Sequence, residues 1–150
     1  MRHKHFEYQT SVRWTEGRKG TIRAPERPEL TFASPREFGG EGGMWTPEDF
    51  FVAAVNTCTM TTFLALADRE GLQVATYECD ATGLLEYVEG YEFTRVALRP
   101  HIEIVDESQL DLARRLVDKA HDRCLIAKSV RSDVLLEPAI SVAEPSTAAI

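Results

Sequence analysis

One long apolar segment, residues 46–71, dominates this 150-residue chain. The motif Thr46-Pro47-Glu48-Asp49 predicts the start of a helix, because threonine can cap it and proline fits its first position. Acidic side chains in the first turn also suit the helix dipole. Gly71 marks the expected end, so the helix should be roughly 37 Å long.

Apolar side chains occur on all sides of this helix, which is typical of a helix surrounded by protein. They are Phe50, Phe51, Val52, Ala53, Ala54, Val55, Phe63, Leu64, Ala65, Leu66 and Ala67. A domain of this size cannot easily enclose such a helix, so we predict a second subunit and hence a homodimer. A membrane span is not expected, since Asn56 and four nearby threonines interrupt the apolar run.

Before this helix, the chain is predicted to form short strands and turns. We expect strands at His5–Arg13, Thr21–Arg23 and Glu29–Ala33, with a turn at Gly17–Gly20. After the helix, Leu72–Tyr87 and Tyr91–Val105 should form a hairpin through Val88-Glu89-Gly90. Pro100 predicts an edge position or a bulge in the second strand.

The remaining chain is predicted to form a second helix and a closing strand. The helix should open at Ser108 and run to about Lys128, followed by a strand at Val130–Glu137. The element order predicts an α+β fold with mainly antiparallel connections. We expect a single domain over residues 1–137 and a loose C-terminal tail over residues 138–150.

Charge and cysteine content exclude several classes of function. The net charge is −7, from 17 Lys+Arg and 24 Asp+Glu, so we expect neither a nucleic acid nor an anionic membrane as partner. Residues 1–14 contain no apolar leader segment, which predicts a cytoplasmic protein. Three cysteines in a reducing compartment do not suggest a disulfide framework.

The cysteines are the first candidates for chemistry. Helical periodicity turns Cys58 and Cys124 inward, which fits either two small core residues or a nucleophile with a resolving partner. Cys79 shares one strand face with apolar residues and has no cation beside it in sequence, so we interpret it as structural packing. The residues alone leave the choice open for Cys58 and Cys124.

The other candidate groups carry weaker signals. His121 lies one turn before Cys124, which could be half of a zinc pair or the base of a cysteine hydrolase. No Cys-x-x-Cys accompanies it, and we predict no metal site. Read alone, Arg18 is a solvated loop charge and Glu48 complements the helix dipole.

An ordered set of motifs resembles the OsmC/Ohr family of osmotically inducible and organic hydroperoxide resistance proteins. The set comprises residues 34–40 (SPREFGG), Thr46-Pro47-Glu48, Cys58 and residues 120–124 (AHDRC), and the resemblance extends from Val12 to Glu137. It implies an intertwined α+β homodimer in which antiparallel sheets wrap two long central helices. Leu125-Ile126-Ala127 replaces the Pro-Tyr-Ser of the hydroperoxide resistance branch, which places the chain in the broader OsmC-like branch.

The resemblance also implies an activity. Active members are thiol peroxidases that reduce organic hydroperoxides in oxidative and osmotic stress defence. Cys58 matches the peroxidatic cysteine and Cys124 the resolving cysteine that closes a disulfide with it. Arg18 matches the arginine that activates the thiolate, and Glu48 the glutamate that orients this arginine. No bound cofactor is implied; an external dithiol, of which the lipoyl type is a candidate, restores the thiols.

Helix geometry adds a condition to this assignment. Ten helical residues separate Glu48 from Cys58 by about 15 Å, so we expect Glu48 and Arg18 to serve the Cys58 of the other subunit. Residues near the site in sequence could line an apolar substrate pocket: Met44, Trp45, Phe50 and Met60. The alternative is a protein without catalysis that binds an apolar ligand at the dimer interface.

Overall fold

The computed structural model describes residues 3–145, which cluster into two compact units that divide after Phe51. In the first unit, β1 (Ser11–Glu16), β2 (Lys19–Arg23) and β3 (Leu30–Ala33) form an antiparallel sheet in chain order. Gly17 has a φ of +51° in the β1–β2 turn, a conformation that glycine adopts without a steric penalty.

The first predicted strand is displaced along the chain. His5–Arg13 was expected to be extended, but β1 begins at Ser11 and continues to Glu16. Its pairing starts where Ser11 lies opposite Arg23, the last residue of β2. Residues 5–10 therefore have no β2 residue to pair with, and their alternating side chains do not make them a strand.

The long helix α1 (Pro47–Glu70) begins where the sequence predicts. The Thr46 hydroxyl accepts a hydrogen bond from the Asp49 N–H at 3.0 Å, and the Asp49 carboxylate accepts one from the Thr46 N–H at 3.0 Å. This reciprocal pair satisfies two amide groups at the helix start. The Leu72 N–H donates to the Ala67 carbonyl across Gly71, whose φ of +72° ends the helix.

Helix α1 buries one stripe of side chains in the second unit. The stripe consists of Val55, Thr59, Phe63, Leu66 and Ala67. Only 28% of an apolar 18-residue stretch of α1 is buried within the described chain. By length and composition α1 could also cross a membrane, a criterion that core helices of soluble proteins meet as well.

The second unit contains a mixed sheet centred on one strand. The hairpin of β4 (Val74–Tyr87) and β5 (Tyr91–Ile104) matches the prediction, with a turn over residues 88–90. On its other side β5 pairs in parallel with β6 (Asp133–Leu136) and with β7 (Ala139–Val142). The connections are therefore less uniformly antiparallel than the sequence predicts.

Pro100 lies in the centre of this sheet, so the predicted edge position or bulge is wrong. The β4–β5 register runs unbroken through Pro100, opposite Cys79. The carbonyls of Leu98 and Ile104 accept bonds from Glu137 and Ala143 on the β6 and β7 side. Backbone alternation turns the proline nitrogen to that same side, where β6 has ended and β7 has not begun. The missing N–H thus costs no ladder bond.

The second predicted helix is divided into two. Helix α2 (Leu110–Arg123) follows a 3₁₀ turn at Glu107–Gln109, and α3 (Leu125–Ser129) follows α2. Cys124 separates them with an extended backbone, at φ −60° and ψ 109°. The prediction of a single helix from Ser108 to about Lys128 is therefore wrong, because the helix is interrupted at Cys124. Asp106 caps the 3₁₀ turn by accepting the Ser108 N–H.

The core of the second unit lies between α1, α2 and the sheet. Its buried members include Phe63, Leu66, Ile102, Leu116 and Val117.

The prediction of a loose tail over residues 138–150 is wrong for part of that segment, because β7 falls inside it and pairs with β5. Residues 146–150 of that tail lie outside the described residues. The α+β class is confirmed.

Candidate active site

The structure brings Cys58 and Cys124 together. Cys58 is half-buried on α1, with its Sγ 3.9 Å from the Thr62 hydroxyl. The Cys124 side chain lies near enough to contribute to lowering the pKa of Cys58. Two sulfurs from separate helical elements therefore influence each other within the second unit.

Cys124 occupies the break between α2 and α3 and has no solvent exposure. Its Sγ accepts a hydrogen bond from the Ala127 N–H at 3.5 Å, which makes the sulfur the cap of α3. The Thr59 hydroxyl lies 3.7 Å from the same sulfur. The helix break thus positions the Cys124 sulfur against α1.

The two thiols differ in acidity. Burial raises the pKa of Cys58, but hydrogen bonds from the Ile126 N–H, the Cys124 thiol, the Thr62 hydroxyl and the Leu125 N–H outweigh it. The Cys58 pKa therefore lies below its ordinary value. Burial raises the pKa of Cys124, and the neighbouring Cys58 sulfur raises it further. Cys58 ionises first, as a nucleophile must.

Cys79 has a different environment. It is half-buried on β4, and its Sγ lies 3.6 Å from the Asp80 carbonyl oxygen. Burial raises its pKa, and the Asp80 carboxylate contributes in the same direction. A thiol with a raised pKa reacts slowly with electrophiles, which agrees with a packing role.

Arg18 and Glu48 belong to the first unit. Arg18 is exposed in the β1–β2 turn, and its Nη1 donates to the Phe38 carbonyl. Oε2 of Glu48 is buried, and the structure gives it no hydrogen-bond partner within residues 3–145. A buried carboxylate oxygen without a donor requires an explanation.

Three of the predicted substrate-binding residues also lie in the first unit. The ring of Trp45 stacks on that of Phe50, with centroids 5.7 Å apart and planes 3° apart. Trp45 remains 51% exposed, and Met44 is half-buried. Met60 is half-buried on the part of α1 that belongs to the second unit.

His121 lies in the last turn of α2, just before Cys124. Its Nδ1 is buried, with no hydrogen-bond partner in the described part of the chain. Across the same residues, no group of three or more His, Cys, Asp or Glu side chains is arranged to hold a metal ion.

Thr59, Thr62 and the amides that follow Cys124 were missed by sequence reasoning. Thr62 could have been found, because it lies four residues after Cys58 and therefore one turn along the same helix face. The amides of residues 125–127 could not, because only the break in the helix at Cys124 aims them at the two sulfurs.

Comparisons with known proteins agree with this architecture. A family model described as OsmC-like protein matches residues 40–138. The chain is 28% identical over 131 residues to organic hydroperoxide resistance protein-like 2 of Staphylococcus epidermidis, covering 85% of this chain and 90% of that protein.

Two solved structures are also similar. One is an OsmC-like protein of unknown function from Vibrio cholerae, at 25% identity and a TM-score of 0.83, covering 90% of this chain and all of that one. The other is an organic hydroperoxide resistance protein from Legionella pneumophila, at 26% identity and a TM-score of 0.71, covering 95% of this chain and all of that one.

Proposed function

The chain belongs to the OsmC-like protein family, and from this membership we propose that it is a cytoplasmic thiol peroxidase that reduces organic hydroperoxides in stress defence. The observation that carries the proposal is the pairing of Cys58, whose pKa is lowered, with Cys124, whose pKa is raised. The relatives named for organic hydroperoxide resistance support the same reading.

The proposed reaction proceeds in two steps. The Cys58 thiolate attacks the O–O bond, so one oxygen remains on sulfur as a sulfenic acid and the other leaves as an alkoxide that becomes the alcohol. Cys124 then attacks the Cys58 sulfur, which closes a disulfide and releases water. An external dithiol, for which we propose the lipoyl type, reduces the disulfide by exchange and is itself oxidised.

Arg18 and Glu48 complete the proposed site from the other subunit of a homodimer. A guanidinium near the Cys58 sulfur would stabilise the thiolate and the departing alkoxide, and a carboxylate would fix its orientation. The buried, unpartnered Oε2 of Glu48 supports this role, because it leaves an acceptor free for a guanidinium. The apolar residues of α1 that are only half-buried or exposed within the described chain support the dimer.

The organic group of the substrate requires an apolar surface beside the sulfur. We assign this role to Trp45 and Phe50, whose stacked rings form such a surface, together with Met44 and Met60. Substrate selection would then depend on apolar contact with the organic group, while the peroxide oxygens would be recognised by the charged residues.

Stopped-flow turnover with cumene hydroperoxide and a dithiol tests the proposal. Wild type should consume peroxide, Cys58→Ser should abolish turnover, and Cys79→Ser should retain it. Arg18→Ala should slow the reaction by at least about tenfold, whereas Arg13→Ala, in the same sheet, serves as the matched control. An unchanged rate in Cys58→Ser would refute the mechanism.

Mass spectrometry separates the enzyme from the alternative, a ligand-binding protein without turnover. One equivalent of peroxide should link the Cys58 and Cys124 peptides with the loss of two hydrogens. Retention of both free thiols, with cumene hydroperoxide bound unchanged, would instead identify an apolar-ligand binder.

A further inference from the structure

The Thr59 hydroxyl lies between two possible acceptors but has one proton to donate. Its Oγ1 is 2.9 Å from the Val55 carbonyl oxygen and 3.7 Å from the Cys124 Sγ. A carbonyl can only accept, so the shorter contact takes the proton while Cys124 is a neutral thiol. In that state the hydroxyl proton does not point at the Cys124 sulfur, and the Cys124 thiol proton serves Cys58.

The second step of the proposed reaction changes what Cys124 needs. Its sulfur must lose its proton and become a thiolate before it attacks Cys58, yet it is fully buried, and a buried anion is costly unless donors surround it. The Ala127 N–H already donates at 3.5 Å. A second donor in contact with the sulfur would lower the cost further.

Rotation about one bond can supply that donor. Turning the Thr59 hydroxyl moves its proton from the Val55 carbonyl toward the Cys124 sulfur without moving a heavy atom. The Val55 carbonyl keeps the helical bond from the Thr59 N–H, because both residues lie within α1. The rotation therefore leaves no backbone group unsatisfied.

We propose that Thr59 is a positioning residue for disulfide closure, whose hydroxyl rotates to donate to the Cys124 sulfur as this sulfur attacks Cys58. This inference rests on the proposed function. In the peroxide reaction the Cys124 proton joins the departing hydroxide of the sulfenic acid to give water, while the two sulfurs form one bond. Thr59 orients and stabilises, and is not consumed.

A reaction that does not depend on peroxide isolates this step. In a Cys79→Ala background, 5,5′-dithiobis(2-nitrobenzoate) first labels Cys58 and releases one thionitrobenzoate. Attack of the Cys124 thiolate on the Cys58 sulfur then releases a second, and the Cys124 proton goes to solvent. The two releases are followed by absorbance in stopped flow across a range of pH.

Thr59→Val should slow the second release by at least about tenfold, the loss expected for one hydrogen bond to a charged group, and should shift its pH profile upward. Thr59→Ser should restore both the rate and the profile. The first release should be unchanged in each variant. Thr57→Val is the matched control, because Thr57 makes a similar bond to Ala53 at 2.7 Å but is exposed.

The outcomes separate two failures. If Thr59→Val leaves the second release unchanged, or if Thr59→Ser is as slow as Thr59→Val, the role of the hydroxyl is refuted while the two-cysteine reaction stands. If Thr59→Val slows both releases equally, the effect is structural and the inference also fails. If wild type gives no second release, Cys124 does not attack Cys58, and the proposed mechanism fails together with the inference.

Discussion

At the scale of single residues, the sulfurs of Cys58 and Cys124 lie in different environments. Cys58 is half-buried and receives hydrogen bonds from two amides, a hydroxyl and a thiol. Cys124 is fully buried and keeps its proton more firmly. Because the Cys124 thiol also favours the ionised form of Cys58, the proposed resolving residue would contribute to the reactivity of the proposed nucleophile before any oxidation.

The first prediction removes that donor. Cys124→Ala should raise the pKa of Cys58, because the thiolate loses a hydrogen bond that favours the charged form. Alkylation of Cys58 by iodoacetamide, measured by peptide mass spectrometry, should be severalfold slower at pH 7 and approach the wild-type rate at high pH. Cys79→Ala is the control and should leave the Cys58 profile in place. A Cys58 inflection that stays or falls in Cys124→Ala would contradict the assignment.

Residue-level expectations from the sequence were limited by what periodicity can report. The pattern placed Cys58 and Cys124 inward, but it could not show that a helix break at Cys124 turns the amides of residues 125–127 toward sulfur. The residues that followed, Leu125-Ile126-Ala127, favour a continuous helix and carry no glycine or proline to mark the break. The roles of Arg18 and Glu48 remain predictions.

At the scale of elements, α1 lies against the sheet at a point where one glycine is required. A Cβ on Gly83 of β4 would lie 2.5 Å from a Val52 methyl and 2.9 Å from the Phe93 ring. Such contacts are too short for ordinary packing. The absence of a side chain at Gly83 therefore lets α1 approach the hairpin closely.

The second prediction tests this approach. Gly83→Ala should lower the free energy of unfolding by about 1–3 kcal/mol, the usual cost of overpacking a core. The cost should be smaller in a Val52→Ala background, because the truncated side chain vacates the overlapping space. Urea unfolding of the four proteins in this double-mutant cycle measures the coupling. Strictly additive effects would show that Val52 is not the obstacle.

Elements with local signals were predicted well, and elements defined by distant pairing were not. The start of α1 follows from the Thr46 and Asp49 side chains, and the hairpin turn from Gly90 and its neighbours. By contrast, β7 follows Pro138 and is a strand only because β5 offers it a partner. Pro100 was misplaced for a similar reason, since no local pattern reports that β6 and β7 leave a gap opposite it.

At the scale of the whole molecule, the incomplete burial of the apolar residues of α1 predicts that a partner surface covers them. Leu64 lies outside the buried stripe of α1 and is 36% exposed. In a homodimer such residues would be covered, and burying apolar area is the main driving force of association. Arg18 and Glu48 would then act across the interface, so assembly and activity would be lost together.

The third prediction follows from this dependence. Size-exclusion chromatography with light scattering should give twice the 16.8 kDa mass of the chain. Leu64→Glu should shift the protein to monomer and abolish peroxide turnover, because it places a charge against an apolar interface. Val105→Glu, at a residue 54% exposed after β5, is the control. A Leu64→Glu protein that stays dimeric and active would contradict the proposed assembly.

The central position of β5 has a consequence for the order in which the second unit can fold. One flank of β5 is filled by the adjacent hairpin strand, a local pairing that can form quickly. The other flank pairs Arg95 with Asp133 and Ile104 with Val142, so it must wait until α2 and the segment beyond it have left the ribosome. Until then β5 is an open edge that a neighbouring nascent chain can pair with.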